Sequence, residues 1–122
     1  MGRPSNGNGG AAPVSGLLVN NTATGTVTID LSLYSAAQLT ITGNTTLAFS
    51  NLPAANQQKK CGLTIINGGA FTVTYPVGTR WGGSGVVGSA PALQASGTDK
   101  LQFDIYNNGA VVYDAAYVGR YA

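Results

Sequence analysis

At 122 residues the chain is long enough for one domain with a packed core and too short for two. Only 8% of its residues are Asp, Glu, Lys or Arg, against about 25% in an ordinary globular domain, yet 43% are hydrophobic, which argues against disorder. The net charge is +2, with no His and no Glu, so Ser-His-Asp, Cys-His and His-metal sites are excluded.

Gly, Thr, Asn and Ser stand where charges usually would. A surface built from them lacks the repulsion that keeps monomers apart, which suits a subunit partly covered by neighbours. Lys59-Lys60 is the only basic pair, too little to neutralise a run of phosphates, so no nucleic-acid partner is expected. The lone Cys61 can form neither an internal disulfide nor a metal-ligand set and is expected to pack as a small apolar residue. No apolar run approaches a membrane span and no secretory pattern opens the chain, so it is expected to be made in the cytoplasm without a membrane partner.

Residues 1–16, rich in Gly, Asn, Ser, Ala and Pro, have no periodicity and read as an extended arm. Arg3, Pro4 and Pro13 are its candidate capsid or subunit contacts. Residues 17–122 form the domain. From Gly25 the chain alternates: Val27, Ile29, Leu31 and Leu33 face one way, Thr26, Thr28, Asp30 and Ser32 the other. This period of two predicts a strand with one buried face. The pattern returns at Leu39 and Ile41, at Leu47 and Phe49, and at Leu63 and Ile65. Phe71, Val73 and Tyr75 follow, then Leu101, Phe103 and Ile105, and finally Val111, Tyr113, Ala115 and Tyr117.

Asn67-Gly68-Gly69 and Asn107-Asn108-Gly109 supply residues that tolerate φ > 0, as tight hairpins require. Residues 51–60 and 76–97 read as longer loops, with at most one helical turn at 54–60. About seven short strands with regular turns predict an all-β fold, a compact antiparallel β-sandwich or jelly-roll-like barrel with an extended Gly-rich N-terminal arm.

No catalytic constellation emerges. Asp30, Asp104 and Asp114 fall on polar faces of strands, and Asp99 is expected to accept backbone hydrogen bonds near the Gly97-Thr98-Asp99 turn. Gly82-Gly83-Ser84-Gly85 lacks the following Lys-Ser/Thr of a phosphate loop. The chain is therefore expected not to be an enzyme and to hold neither cofactor nor metal. Trp81 on its Gly-rich loop either caps the end of the sandwich or offers a ring to a sugar. Tyr106, Tyr113, Tyr117 and Tyr121 give aromatic surface with polar tips, suited to interfaces, and Tyr117 and Tyr121 are candidate capsid or subunit contacts.

One ordered set of residues runs from Asn44 through Leu47-Ala48-Phe49-Ser50-Asn51, Gly68-Gly69, Thr74-Tyr75-Pro76 and Trp81-Gly82-Gly83. It continues through Pro91-Ala92-Leu93, Gly97-Thr98-Asp99, Leu101-Gln102-Phe103 and Asn108-Gly109 to Tyr113. In order and spacing it resembles a β-module of tailed-bacteriophage virion structural proteins, of head-decoration, tail-fibre or baseplate type. The resemblance implies a virion structural role without catalytic residues. The expectation is a capsid decoration (cement) protein that stabilises the head by binding the major capsid protein lattice, with sister subunits in a homotrimer. The alternative is a short tail fibre or receptor-binding protein that contacts other tail proteins and a bacterial surface glycan. Either places the chain in the virion, on the capsid surface or the tail.

Overall fold

The structure is a computed structural model that describes residues 16–82 and 89–121. The arm, with the candidate contacts Arg3, Pro4 and Pro13, lies outside the described residues except at Gly16. So do Gly83, Ser84 and Gly85 of the glycine stretch.

The fold is all-β. Seven strands follow in order: β1 (Gly16–Asp30), β2 (Tyr34–Ser50), β3 (Gln58–Ile66), β4 (Val73–Thr74), β5 (Arg80–Gly82), β6 (Thr98–Asn107) and β7 (Val111–Tyr121). Gly68–Ala70 forms a short 3-10 turn, and the described residues contain no α-helix. The sheet order is β1-β2-β3-β6-β7-β5, with β4 added beside β2.

The pairing is mixed. β3-β6 and β6-β7 are antiparallel, as expected, whereas β1-β2, β2-β3, β2-β4 and β5-β7 are parallel. Parallel neighbours ordinarily need a crossover of a dozen or more residues. Here only residues 31–33 separate β1 from β2, yet Gly16 lies beside Tyr34 and Asp30 beside Ser50. A straight 15-residue strand would span about 50 Å, and that link reaches at most about 14 Å. β1 must therefore curl on itself, so that its end meets its own beginning.

The register shifts between Asn20 and Gly25 mark where it bends. Thr22 N–H bonds Asn20 Oδ1 at 3.0 Å there, and Gly25 has φ 67°. Gly16 is required at the closure, because a Cβ on it would collide with the Leu33 carbonyl oxygen. The next coil repeats the plan with a longer excursion: Ala36 pairs with Gly62 and Thr45 with Val73. The first part of the chain is thus a short solenoid, and β6-β7 closes it on the β3 side.

In-register coils stack like on like. Val27 sits beside Leu47, Ile29 beside Phe49, Ala37 beside Leu63 and Leu39 beside Ile65, all buried. Each fully buried Leu, Ile or Phe contributes roughly 1.5–3 kcal/mol. Phe103 joins the two parts: its ring centroid is 5.3 Å from that of Phe49 in the second coil and 5.9 Å from that of Trp81 on β5. Facing walls therefore enclose one core, as in a sandwich.

Three local expectations change. Asn67-Gly68-Gly69 does not close a hairpin: Asn67 is left-handed (φ 60°), but the chain turns through the 3-10 segment to β4, which pairs with β2 instead of β3. The strand expected over Phe71–Tyr75 shrinks to Val73–Thr74, and Phe71 is exposed. The loop expected at 76–97 contains β5. The Asn107-Asn108-Gly109 hairpin forms as expected, with Gly109 N–H bonded to Asn107 Oδ1 at 3.0 Å.

Because both parts share Phe103, Phe103→Ala is expected to cost about 3–5 kcal/mol in urea denaturation, with a single transition retained. Val77→Ala, at a side chain 98% exposed, is expected to stay within about 0.5 kcal/mol of wild type.

Candidate functional site

Two surfaces stand out. The first is the edge of β1, the end strand of the sheet, which has no strand partner on that side among the described residues. Beyond the bulged corner its ladder is regular over residues 25–30, and before it over residues 17–20. Leu17 and Val19, on one face of the strand, are 54% and 50% exposed, and Leu33 at the end of the same coil is 57% exposed. Asp30 is the only charged residue between positions 16 and 33. Its carboxylate is occupied by Ser32 N–H (2.8 Å), Ser32 Oγ (2.6 Å) and Asn51 Nδ2 (2.7 Å), bonds that hold its pKa below the ordinary aspartate value. Edge strands are usually blunted by Lys, Pro or a covering segment. The described residues provide none of these here.

The second surface is the outer face of β3-β6-β7-β5. Alternation sends Leu101, Phe103 and Ile105 inward and Lys100, Gln102, Asp104 and Tyr106 outward. The ladders then align rows across four strands. One row runs Lys60, Asp104, Asp114, Arg80; the next runs Gly62, Gln102, Ala116, Gly82. Like charges directly opposite destabilise a sheet, so Asp104 facing Asp114 needs compensation. Flanking cations provide it. Arg80 grips Asp114 through two parallel bonds, Nε to Oδ1 at 2.6 Å and Nη2 to Oδ2 at 2.9 Å, and its Nη2 also donates to the Tyr106 hydroxyl at 2.9 Å. Lys60 Nζ lies 3.5 Å from Asp104 Oδ1.

Hydrogen bonding from Arg80 holds the Asp114 pKa below the usual range, and the same bond raises that of the guanidinium. Asp114 is therefore an acceptor at neutral pH and no proton donor. Below this row lies an open depression of about 450 Å³, lined by Arg80, Gly82, Gln102, Asp104, Asp114 and Ala116, with Trp81 and Ala115 beneath.

The structure separates the residues singled out in the sequence. Trp81 is 6% exposed and packs edge-on against Tyr75, centroids 4.8 Å apart, so its ring caps the core under β5 and presents no open platform. Tyr117 leans on the core and donates to Asp99 Oδ1 at 2.5 Å. Tyr121, 45% exposed, lies beneath Lys100, whose Nζ is 5.0 Å from the ring centroid. Asp99 is fully buried and also accepts the Gln94 backbone N–H at 2.7 Å. Cys61 is buried, and burial pushes its thiol up to about 11, consistent with a packing role.

Arg80, Lys60, Gln102 and the two glycines were not singled out as a group. The hairpin signal at 107–109 already sets Asp104 opposite Asp114. Nothing local announces β5, which brings Arg80 to them. Among the described residues no three His, Cys, Asp or Glu side chains gather as a metal would need, and no helix is long and apolar enough to cross a membrane.

Tyr75 carries a testable consequence. Its hydroxyl is buried without a hydrogen-bond partner among the described residues. Burial, then the Asp99 charge, push its pKa from 10.0 up to about 12. A phenol whose folded pKa exceeds its unfolded one stabilises fully below pH 10, and that contribution is lost as pH rises towards 12, where only the unfolded chain has released the proton. Tyr75→Phe is therefore expected to be neutral or stabilising at pH 7. Thermal melts should also show a shallower loss of stability across the alkaline window, the remainder reflecting Tyr117 and Cys61, both shifted upward.

No protein-family description, curated protein or solved structure matches the chain.

Proposed function

We propose that this chain is a non-enzymatic virion subunit, a capsid decoration protein that binds the major capsid protein lattice alongside sister copies in a homotrimer. The observation that carries the reading is the edge of β1, without a strand partner among the described residues and with Asp30 as its one charge, beside which Leu17, Val19 and Leu33 are exposed. A strand from a neighbouring chain placed there continues the ladder, its backbone groups supplying affinity and the apolar side chains covering the exposed stripe. Many such weak contacts, repeated by lattice symmetry, amount to strong attachment. The order of motifs, which resembles that of tailed-phage structural modules, supports the virion setting. The engaged carboxylates of Asp114 and Asp99 support binding over catalysis.

Leu17→Lys combined with Val19→Lys places charge on the exposed stripe, where substitutions ordinarily change stability by less than about 0.5 kcal/mol. The expected outcome is an unchanged melting curve, loss of the trimer in sedimentation velocity and loss of co-pelleting with capsids. Retained attachment with charged residues on the stripe would refute this edge as the contact. Mass spectrometry of purified particles should count the chain in proportion to the major capsid protein. A handful of copies per particle would move it to the tail, and its absence would remove the virion reading.

A further inference from the structure

We infer that the depression on the outer face of β3-β6-β7-β5 is a binding site for a neutral saccharide. The inference starts from glycines that the backbone does not need. Gly62 and Gly82 face this side of the sheet, and neither has a positive φ. A Cβ on Gly82 would meet nothing within 4 Å among the described residues. On Gly62 it would meet only Gln102 Oε1 at 3.5 Å. Glycine inside a strand weakens it, and where no bend calls for it, it marks a close approach by a ligand or another chain. Gly82 lines the depression and leaves the backbone open on its floor, and Gly62 flanks Gln102 in the same row.

The chemistry of the rim selects the occupant. Lys60 balances Asp104 and Arg80 balances Asp114, so the row carries both donors and acceptors with no net charge. A phosphate-bearing ligand would meet two carboxylates, and a cationic one would meet Arg80. Hydroxyl groups both donate and accept, and a ring bearing several of them matches alternating guanidinium, carboxylate and Gln102 amide groups. The volume of about 450 Å³ lies in the range of small-molecule sites.

The site is independent of the β1 edge, so either reading can fail alone. The test is a titration of ¹⁵N-labelled protein with lactose, cellobiose, maltose and N,N′-diacetylchitobiose, with glucose 6-phosphate as the anionic comparison. At least one neutral disaccharide is expected to shift the amides of Gly62, Gly82, Gln102 and Ala116 in a saturable way. Gly82→Leu fills the open space and is expected to weaken that binding by about tenfold or more, with the rest of the spectrum intact. Leu17→Lys should leave the binding unchanged. Absence of saturable shifts with all four sugars would overturn the inference, as would equal binding by Gly82→Leu or preference for the phosphate. Self-association of the wild type that Gly82→Leu abolishes, without sugar binding, would likewise overturn it and assign the face to a protein contact.

Discussion

Much of this molecule follows from a ladder that one segment of chain forms with the next after a link of three residues. With Gly16 beside Tyr34 and Asp30 beside Ser50, neither β1 nor β2 can be straight, and both must enclose their own apolar side chains. Side chains that point inward on one coil then lie beside those of the next, so Val27 meets Leu47 and Leu39 meets Ile65 with no further specification. Such coils depend on their neighbours for backbone pairing. β3 gains its partner from β6. β1 has β2 on one side and, within the described chain, nothing on the other. The same pairing that builds the core thus leaves one edge of β1 without a partner among the described residues.

The hairpin β6-β7 does more than close the stack. By setting Asp104 opposite Asp114 it creates a repulsion that two cations from other strands relieve, Lys60 from β3 and Arg80 from β5. Arg80 forks onto Asp114 and reaches Tyr106, which ties the three-residue β5 to the sheet from outside while Trp81 anchors it from within. A strand that short has little backbone pairing of its own, so its position rests on one ion pair and one indole. Placing Gly82 beside Ala116 is the result, and with it the open floor of the depression.

The alternation of Val27, Ile29 and Leu31, of Leu63 and Ile65, and of Leu101, Phe103 and Ile105 made the all-β class and most of the core legible, because a two-residue period has one meaning in a half-buried strand. Parallel stacking was not legible. Alternation reports which face is buried and says nothing of the neighbour's direction, and a link as short as 31–33 reads as a hairpin. The start of β1 was missed for a related reason: Asn20-Asn21-Thr22 has the composition of a turn, and it is a corner, but one inside a continuous coil. Asn67-Gly68-Gly69 misled in the opposite sense, since residues that permit φ > 0 allow a hairpin without requiring one. Of the face residues, Asp104 and Asp114 could be placed by the Asn107-Asn108-Gly109 register. Arg80 could not, because three residues carry no periodicity.

The scarcity of charge gains meaning from where the charges sit. Lys60, Asp104, Asp114 and Arg80 form one row on one face, Lys100 lies over Tyr121 beside it, and Asp99 is sealed beneath Gln94 and Tyr117. At the other end of the sheet, residues 16–33 hold only Asp30, already saturated by Ser32 and Asn51. Dispersed surface charge serves solubility everywhere at once; here four of the charges form one internally balanced row. One end is left with backbone groups and apolar side chains as its means of recognition, and the opposite face with a balanced row of hydrogen-bonding groups beside Lys100. The two surfaces therefore suit different partners, an extended strand at the β1 edge and an uncharged hydroxyl-rich molecule on the β6-β7 face. The two surfaces lie towards opposite ends of the strand order, so that covering one leaves the other open.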